Sequence, residues 1–84
     1  MKHFENAIKN PDATISDAAY QLQLFSEQFE SGLLNAQEYK ELVSDVLDMK
    51  HIDALTTDVH RRVEIAKAFQ QLYQIAGIIG KFIL

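Results

Sequence analysis

The fold of this chain is decided by residues 31–38, which read SGLLNAQE. Gly32 suits the left-handed position that follows the last residue of a helix. Asn35 is a strong N-cap residue, and Glu38 stands three positions later, where its carboxylate reaches back to the backbone N–H of the cap. One helix therefore ends and the next begins within a few residues. So short a connection predicts an antiparallel helical hairpin.

Helical periodicity extends in both directions from this turn. The helix before it, the second of the chain, is predicted to begin at the capping-box pattern Thr14-Ile15-Ser16-Asp17, with Ser16 as a competing cap. Its inward stripe is predicted to contain Ile15, Ala18, Ala19, Leu22, Phe25, Ser26 and Phe29. The third helix is predicted to run from Asn35 to about Met49. Its inward residues are Tyr39, Leu42, Val43, Val46 and Leu47.

Two further helices complete the prediction. A short first helix over residues 2–9 ends before Pro11, because the residue before a proline avoids helical backbone. The fourth and longest helix is predicted to begin near Thr57, and the sequence leaves open whether it continues past Gly77. Its core stripe is predicted to comprise Val59, Val63, Ala66, Phe69, Leu72, Tyr73 and Ala76, widened by Ile65, Ile75 and Ile79. The fold class is therefore all-α: one domain over residues 1–84, an irregular bundle of four helices.

Composition excludes several classes of function. The chain has 84 residues, a net charge of −4 and no cysteine, so disulfides and thiolate metal sites are ruled out. A broad basic surface for nucleic acid is not expected. No apolar run has the length of a membrane span and the start lacks a signal-peptide pattern, so we expect a soluble cytoplasmic protein. His51, Asp53 and His60 are too few and too scattered for a metal site. No nucleophile–base pair is evident, so we expect no cofactor, no catalytic residue and no enzymatic activity.

Residues 22–47 resemble the short helical hairpin motif called SHOCT. The resemblance rests on Phe25 and Phe29, the turn Gly32-Leu33-Leu34-Asn35, the pair Glu38-Tyr39, and Leu42. It covers about a third of the chain. It departs from the family pattern because a long helix follows the hairpin, whereas the family's motif usually closes a protein. The resemblance implies a small interaction or oligomerisation element and carries over no catalytic residue.

The end of the chain, residues 75–84, reads IAGIIGKFIL and is strongly apolar. Such an end needs cover, either from the chain's own core or from another molecule. Both explanations stay open from the sequence. If a partner or second subunit covers this apolar end, we expect the end to bind as a helix in a hydrophobic groove. The predicted partner-binding residues are then Phe69, Leu72, Ile75, Ile79, Phe82, Ile83 and Leu84.

Charged residues supply a second set of candidates. The third helix has an acidic stripe, and the fourth begins with the basic cluster His60-Arg61-Arg62. The predicted charged contacts are Glu41, Asp45, Asp48, Arg61 and Arg62. We expect a non-catalytic interaction or assembly module, acting as a homo-oligomer or an adaptor, of the kind common among phage and mobile-element accessory proteins. The alternative is an acidic regulator of nucleic-acid machinery that uses a charged helix face, without direct binding of DNA or RNA.

Overall fold

The computed structural model describes residues 3–48, 50 and 57–82. That part of the chain contains helices and no strand: α1 (Glu5–Ile8), α2 (Ala13–Glu30), α3 (Ala36–Val46) and α4 (Val59–Gly80). The all-α fold class is confirmed, and so is the prediction that the last helix is the longest. Helix α4 continues through Gly77, and α3 ends at Val46, about three residues earlier than predicted.

The turn between α2 and α3 forms as predicted. Gly32 has a φ of +87°, and the N–H of Leu33 donates to the carbonyl of Gln28 at 2.8 Å. This bond closes a Schellman motif, which satisfies a carbonyl left unpaired at the end of α2. Asn35 accepts from the N–H of Glu38 at 2.8 Å, and the Glu38 carboxylate accepts from the N–H of Asn35 at 3.0 Å. Both halves of the capping box are therefore present.

The N-cap of α2 lies two residues before its predicted position, and the N-cap of α4 lies one residue after its predicted position. Asp12, not Thr14 or Ser16, is the N-cap of α2, and its side chain accepts from the N–H of Thr14 at 2.9 Å. Asp58, not Thr57, is the N-cap of α4. Asp53 and Thr56, which the sequence also offers as N-cap residues for the fourth helix, lie outside the described residues. Aspartate is the N-cap at the start of both helices because its carboxylate is a charge-assisted acceptor that also complements the helix dipole.

Contacts at the two ends of the bundle fix the helix directions. Arg61 at the start of α4 binds Asp12 at the start of α2. At the other end, Tyr39 at the start of α3 touches Ser26 of α2 and the backbone of Gly80 in α4. Helices α2 and α4 therefore run in the same direction, and α3 runs antiparallel to both. Helix α1 packs against α2, and its Asn6 and Ala7 share a cavity with Leu72 of α4.

The core lies where these helices meet. Its buried hydrophobic members are Phe4, Ile15, Ala18, Ala19, Leu22, Tyr39, Val43, Leu47, Ile65, Phe69, Leu72 and Ala76. The predicted stripe of α4 was wrong at its start: Val59 is 67% exposed and Val63 47% exposed, whereas Ile65 is fully buried. Two overlapping apolar stripes exist on this helix, and tertiary packing selects the one through Ile65 and Phe69.

The end of α4 is held against α3 by close packing. A Cβ atom at Gly80 would lie 2.7 Å from Cδ2 of Tyr39, so only glycine fits there. The next residue, Lys81, has a left-handed backbone conformation with a φ of 61° and ends the helix. Phe82 then folds back, and its N–H donates to the carbonyl of Gly77 at 2.9 Å. Its ring centroid lies 6.1 Å from that of Tyr39 and 5.6 Å from that of Tyr73.

Candidate functional site

A groove between α2 and α3 is the candidate functional site. Its volume is about 490 Å³, within the range of clefts that hold ligands, about 300–1,000 Å³. The residues that line it are Thr14, Asp17, Ala18, Gln21, Phe25, Leu42, Asp45, Val46 and Phe69. Five of these are apolar, so the groove has an apolar floor that the chain's own helices leave open.

Helical spacing places the lining residues on facing sides of the hairpin. On α2 they recur at intervals of three or four residues from Thr14 to Phe25, which puts them on one face. On α3 they fall within one turn, from Leu42 to Val46. Phe69 of α4 is 4% exposed and closes the bottom. The groove is therefore a trough along two antiparallel helices, with a third helix beneath it.

The rim of the groove is acidic. Asp17 stands on the α2 wall and Asp45 on the α3 wall, and both side chains are exposed. Helix α2 carries three acidic residues and no basic one, and α3 carries three acidic residues and only Lys40 as a base. Helix α4, in contrast, carries three basic residues and one acidic residue. Negative charge is thus concentrated on the two helices that wall the groove.

Asp45 lies in the last turn of α3, where the carbonyl end of the helix dipole disfavours a carboxylate. Within residues 3–48, 50 and 57–82 no ion pair to Asp45 is formed. Local helix stability therefore gives no reason for an acid here. An external cation would offset the unfavourable position.

Arg61, one of the predicted charged contacts, has an internal role. Its Nε donates to Asp12 at 2.9 Å, and its Nη2 donates to the hydroxyl of Thr14 at 3.3 Å. The hydrogen bond from Arg61 holds the pKa of Asp12 below its usual value against the opposing effect of burial, and the N–H of Thr14 adds to the lowering. The guanidinium thus joins the starts of α2 and α4. Arg62 is exposed beside it.

The predicted acidic contacts are only partly on the surface. Glu41 and Asp45 are exposed and lie one turn apart on α3. Asp48 is half-buried, and its carboxylate accepts from the N–H of Lys50 at 2.9 Å. Of the three, Asp45 alone lines the groove.

The structure divides the predicted partner-binding residues. Phe69 is 4% exposed and Leu72 2% exposed, so both are core residues, and Phe69 also forms the bottom of the groove. Ile75 and Ile79 are half-buried against the core, and so is Phe82 in its aromatic contacts. Ile83 and Leu84 lie outside the described residues. As far as Phe82, the apolar end of the chain packs against the chain's own core, except at Ile78, which is 66% exposed.

Sequence reasoning missed Asp17 and Gln21 as site residues and treated Leu42 and Val46 as core. All four line the groove, and both Leu42 and Val46 are half-buried. One signal was available in the sequence. Asp17, Gln21, Leu24 and Gln28 recur at intervals of three or four residues, so they form a row beside the inward stripe of α2. The sequence did not show which of these flanks would face α3.

A smaller apolar surface lies where α2 faces α1. Tyr20 is 55% exposed and Leu24 is 39% exposed. Together with Ile8 they border a second cavity of about 450 Å³ between α1 and α2. Tyr20 and Leu24 do lie off the inward stripe, as the sequence indicated. The charged neighbours of this cavity are of both signs, since Lys9 pairs with Glu5 at 3.7 Å.

Other kinds of site were sought in the described part of the chain. No group of three or more His, Cys, Asp or Glu side chains there is placed to hold a metal ion. None of its helices has both the length and the apolar character needed to cross a bilayer. Comparison with protein-family models, curated proteins and solved structures gives no match. The resemblance of residues 22–47 to the SHOCT motif therefore stays a prediction, and the groove is the feature on which a function has to be argued.

Proposed function

We propose that this chain is a non-catalytic protein–protein interaction module that holds a segment of a partner protein in the groove between α2 and α3. One observation carries the proposal: a groove of about 490 Å³ with apolar side chains on its floor stays open after all the described helices have packed. Apolar surface that stays exposed to water between acidic walls lowers the stability of the fold, and a domain with a purely structural role would not need it.

The shape and lining of the groove favour a macromolecular segment over a reacting small molecule. The trough is open along its length, and its lining residues include no His, Cys or Lys. Thr14 supplies the one hydroxyl, and it already accepts from Arg61. A general base and a nucleophile within hydrogen-bond distance of each other are the minimum for most hydrolytic chemistry, and this lining does not provide them.

Charge favours an adaptor role over a homo-oligomer formed through this groove. A symmetric dimer places the same surface of two copies together. Asp17 and Asp45 of one copy would then face acidic walls of the other. Like charges brought together across an interface oppose association. A different protein is therefore the better occupant.

Site-specific photo-crosslinking in cells that contain the chain tests the proposal. A photoreactive residue replaces Gln21 in the groove, and the matched control carries it at Gln74, which is exposed on α4 and outside the groove. We expect a discrete heavier adduct at position 21 only, lost when Leu42 is changed to Glu. Its mass spectrum identifies a partner or a second copy. Equal adducts at both positions, or none at position 21, would refute the proposal.

A second candidate function rests on the exposed pair Glu41 and Asp45. Their spacing of one helical turn lets them imitate neighbouring phosphates, so the chain would act as an acidic regulator of nucleic-acid machinery. Neutral variants, Glu41→Gln with Asp45→Asn, should keep the fold because both side chains are exposed. Loss of the regulated activity without loss of the crosslink at position 21 would favour this function. The expected cytoplasmic location and the phage-like role stay predictions.

A further inference from the structure

We infer that the partner segment is a basic amphipathic helix, with its apolar face on the floor of the groove and Lys or Arg side chains between Asp17 and Asp45. This inference rests on the proposed function and adds the chemistry of the partner. It concerns a helix of another protein, not a second copy of this chain.

The length of the groove matches a short helix. Its α2 wall runs from Thr14 to Phe25, eleven helical steps that at about 1.5 Å each span roughly 16 Å, or three turns. A helix laid over two antiparallel helices presents apolar anchors at positions i, i+3 or i+4, and i+7. Three such anchors cover three turns. Ala18, Leu42 and Val46 offer them aliphatic contact, and Phe25 an aromatic face.

The charges predict where the basic residues of the partner sit. Because α3 is antiparallel to α2, Asp45 near the end of α3 lies by the early part of α2, where Asp17 stands. The other end of the groove, towards Phe25, has no acidic lining residue. Cations on the partner should therefore cluster at the end of its helix that reaches Asp17 and Asp45.

In the described part of the chain, neither Arg61 nor Lys40 forms an ion pair with the acidic residues at this end of the groove. Arg61 reaches Thr14 at the edge of the groove, but its guanidinium is engaged by the carboxylate of Asp12 at 2.9 Å. Lys40 lies towards the start of α3, with its Nζ 5.9 Å from the ring centroid of Phe82. A carboxylate on each wall thus faces the open groove without an intramolecular cation beside it in the described ranges.

A second copy of this chain does not supply the required helix. Its most basic helix is α4, which carries Arg61, Arg62 and Lys67. The apolar face of α4 through Ile65 and Phe69 is already buried in its own core, and presenting it to another copy would require unfolding the donor. Val59 and Val63 are exposed near the basic residues, but they lie one turn apart and do not supply large apolar anchors over three turns. The occupant is therefore a separate polypeptide.

Fluorescence anisotropy with three labelled peptides tests the inference on the full chain. The first is a designed helix with leucines at i, i+3, i+4 and i+7 and two lysines at one end. The second has glutamates in place of the lysines. The third has the composition of the first in a scrambled order that destroys the apolar face. We expect only the first to bind, with an affinity that falls as salt rises because exposed charges are screened.

Charge reversal locates the binding. The double variant Asp17→Lys, Asp45→Lys is compared with Glu30→Lys, Glu64→Lys, which changes the net charge equally at exposed positions outside the groove. Circular dichroism first establishes that both variants remain folded. We expect about tenfold or more weakening in the groove variant, gain of binding to the glutamate peptide, and less than threefold change in the control, since the contacts are local.

Two results would overturn the inference. One is equal binding of the lysine and glutamate peptides, and the other is an equal loss in the two double variants. No binding of any peptide, with the crosslink at Gln21 still present, would refute the basic helix and leave the interaction function standing. Absence of both the peptide binding and the crosslink would refute both proposals.

Discussion

The hydrogen bond between Ser26 and Tyr39 is buried, so we expect it to contribute substantially to the free energy of unfolding. The two hydroxyl oxygens lie 2.8 Å apart, with Tyr39 fully buried and Ser26 2% exposed. The Tyr39 ring also stacks on Phe29, with ring centroids 4.8 Å apart. This contact ties the end of α2 to the start of α3.

The expected loss of stability in each variant depends on which of the two hydroxyl groups is left without a hydrogen-bond partner. Leaving one buried hydroxyl without a partner costs about 1–3 kcal/mol. Tyr39→Phe should fall at the lower end, about 1 kcal/mol, because a serine within a helix can bond to a carbonyl one turn earlier. Ser26→Ala should cost more, about 2 kcal/mol, since the tyrosine hydroxyl has no such local acceptor. The double variant removes both polar groups and should cost less than the sum by about 1 kcal/mol or more.

Urea unfolding followed by far-ultraviolet circular dichroism at pH 7 measures this double-mutant cycle. The matched control is Tyr73→Phe, a half-buried tyrosine on α4, which should change the free energy of unfolding less. The reasoning fails if the two single changes add to within about 0.5 kcal/mol, which is the behaviour of independent sites.

The same contact predicts a response to alkali. Burial raises the pKa of Tyr39, the hydrogen bond from Ser26 opposes this, and the charge of Glu30 adds to it. The folded state therefore keeps its proton to higher pH than the unfolded state, whose tyrosine titrates near about 10. The stabilisation is complete below that value and is lost as pH rises through the folded-state pKa. The stability difference between the wild type and Tyr39→Phe should shrink above pH 10, and a constant difference would contradict it.

Three further predictions concern the ends of α4. Gly80→Ala should destabilise the fold, because the new Cβ would lie 2.7 Å from Cδ2 of Tyr39. Such overpacking costs about 1–3 kcal/mol, which exceeds the helix-propensity gain of about 1 kcal/mol. A higher melting temperature would contradict this. Lys81→Gly should stabilise by about 0.5–1 kcal/mol in urea unfolding, because glycine tolerates the φ of 61° without strain; an unchanged midpoint would show that the end is not strained. Arg61→Gln should raise the pKa of Asp12, whose lowering comes first from Arg61. Asp12 contributes stability above its unfolded pKa that is lost as pH falls through its folded pKa, so the variant should differ most from wild type at neutral pH. An NMR titration of Asp12 that is unchanged in the variant would refute the assignment.

Local signals in the sequence predicted the hairpin well. The capping box of Asn35 and Glu38 and the left-handed Gly32 involve groups only three or four residues apart. Their partners are therefore written in the adjacent sequence. The same reasoning missed the N-cap of α2, because Thr14 and Ser16 offered competing caps close to Asp12. The bonds from Arg61, 49 positions away, additionally hold the Asp12 carboxylate, and the adjacent sequence did not indicate them.

Periodicity predicted helix α4 and the later part of its inward face, through Phe69, Leu72 and Ala76, but it misplaced the start of that face. Residues 65 and 66 differ by about 100° around a helix, so the stripe through Val59, Val63 and Ala66 and the stripe through Ile65 and Phe69 are both reasonable inward faces. Packing against α2 and α3 decides between them, and it exposes Val59 and Val63. The candidate site shares this dependence, because Asp17 and Asp45 become opposite walls only after the hairpin closes.

By itself, the sequence determined the helical class, the position of the hairpin turn and the concentration of acid on α2 and α3, since these follow from residue type and from contacts within about one helical turn. Only the tertiary structure decided that Phe82 covers Tyr39, that Gly80 is required for close approach, and that an apolar groove remains open. These are contacts between residues far apart in the chain, and the sizes and directions of several side chains settle them together.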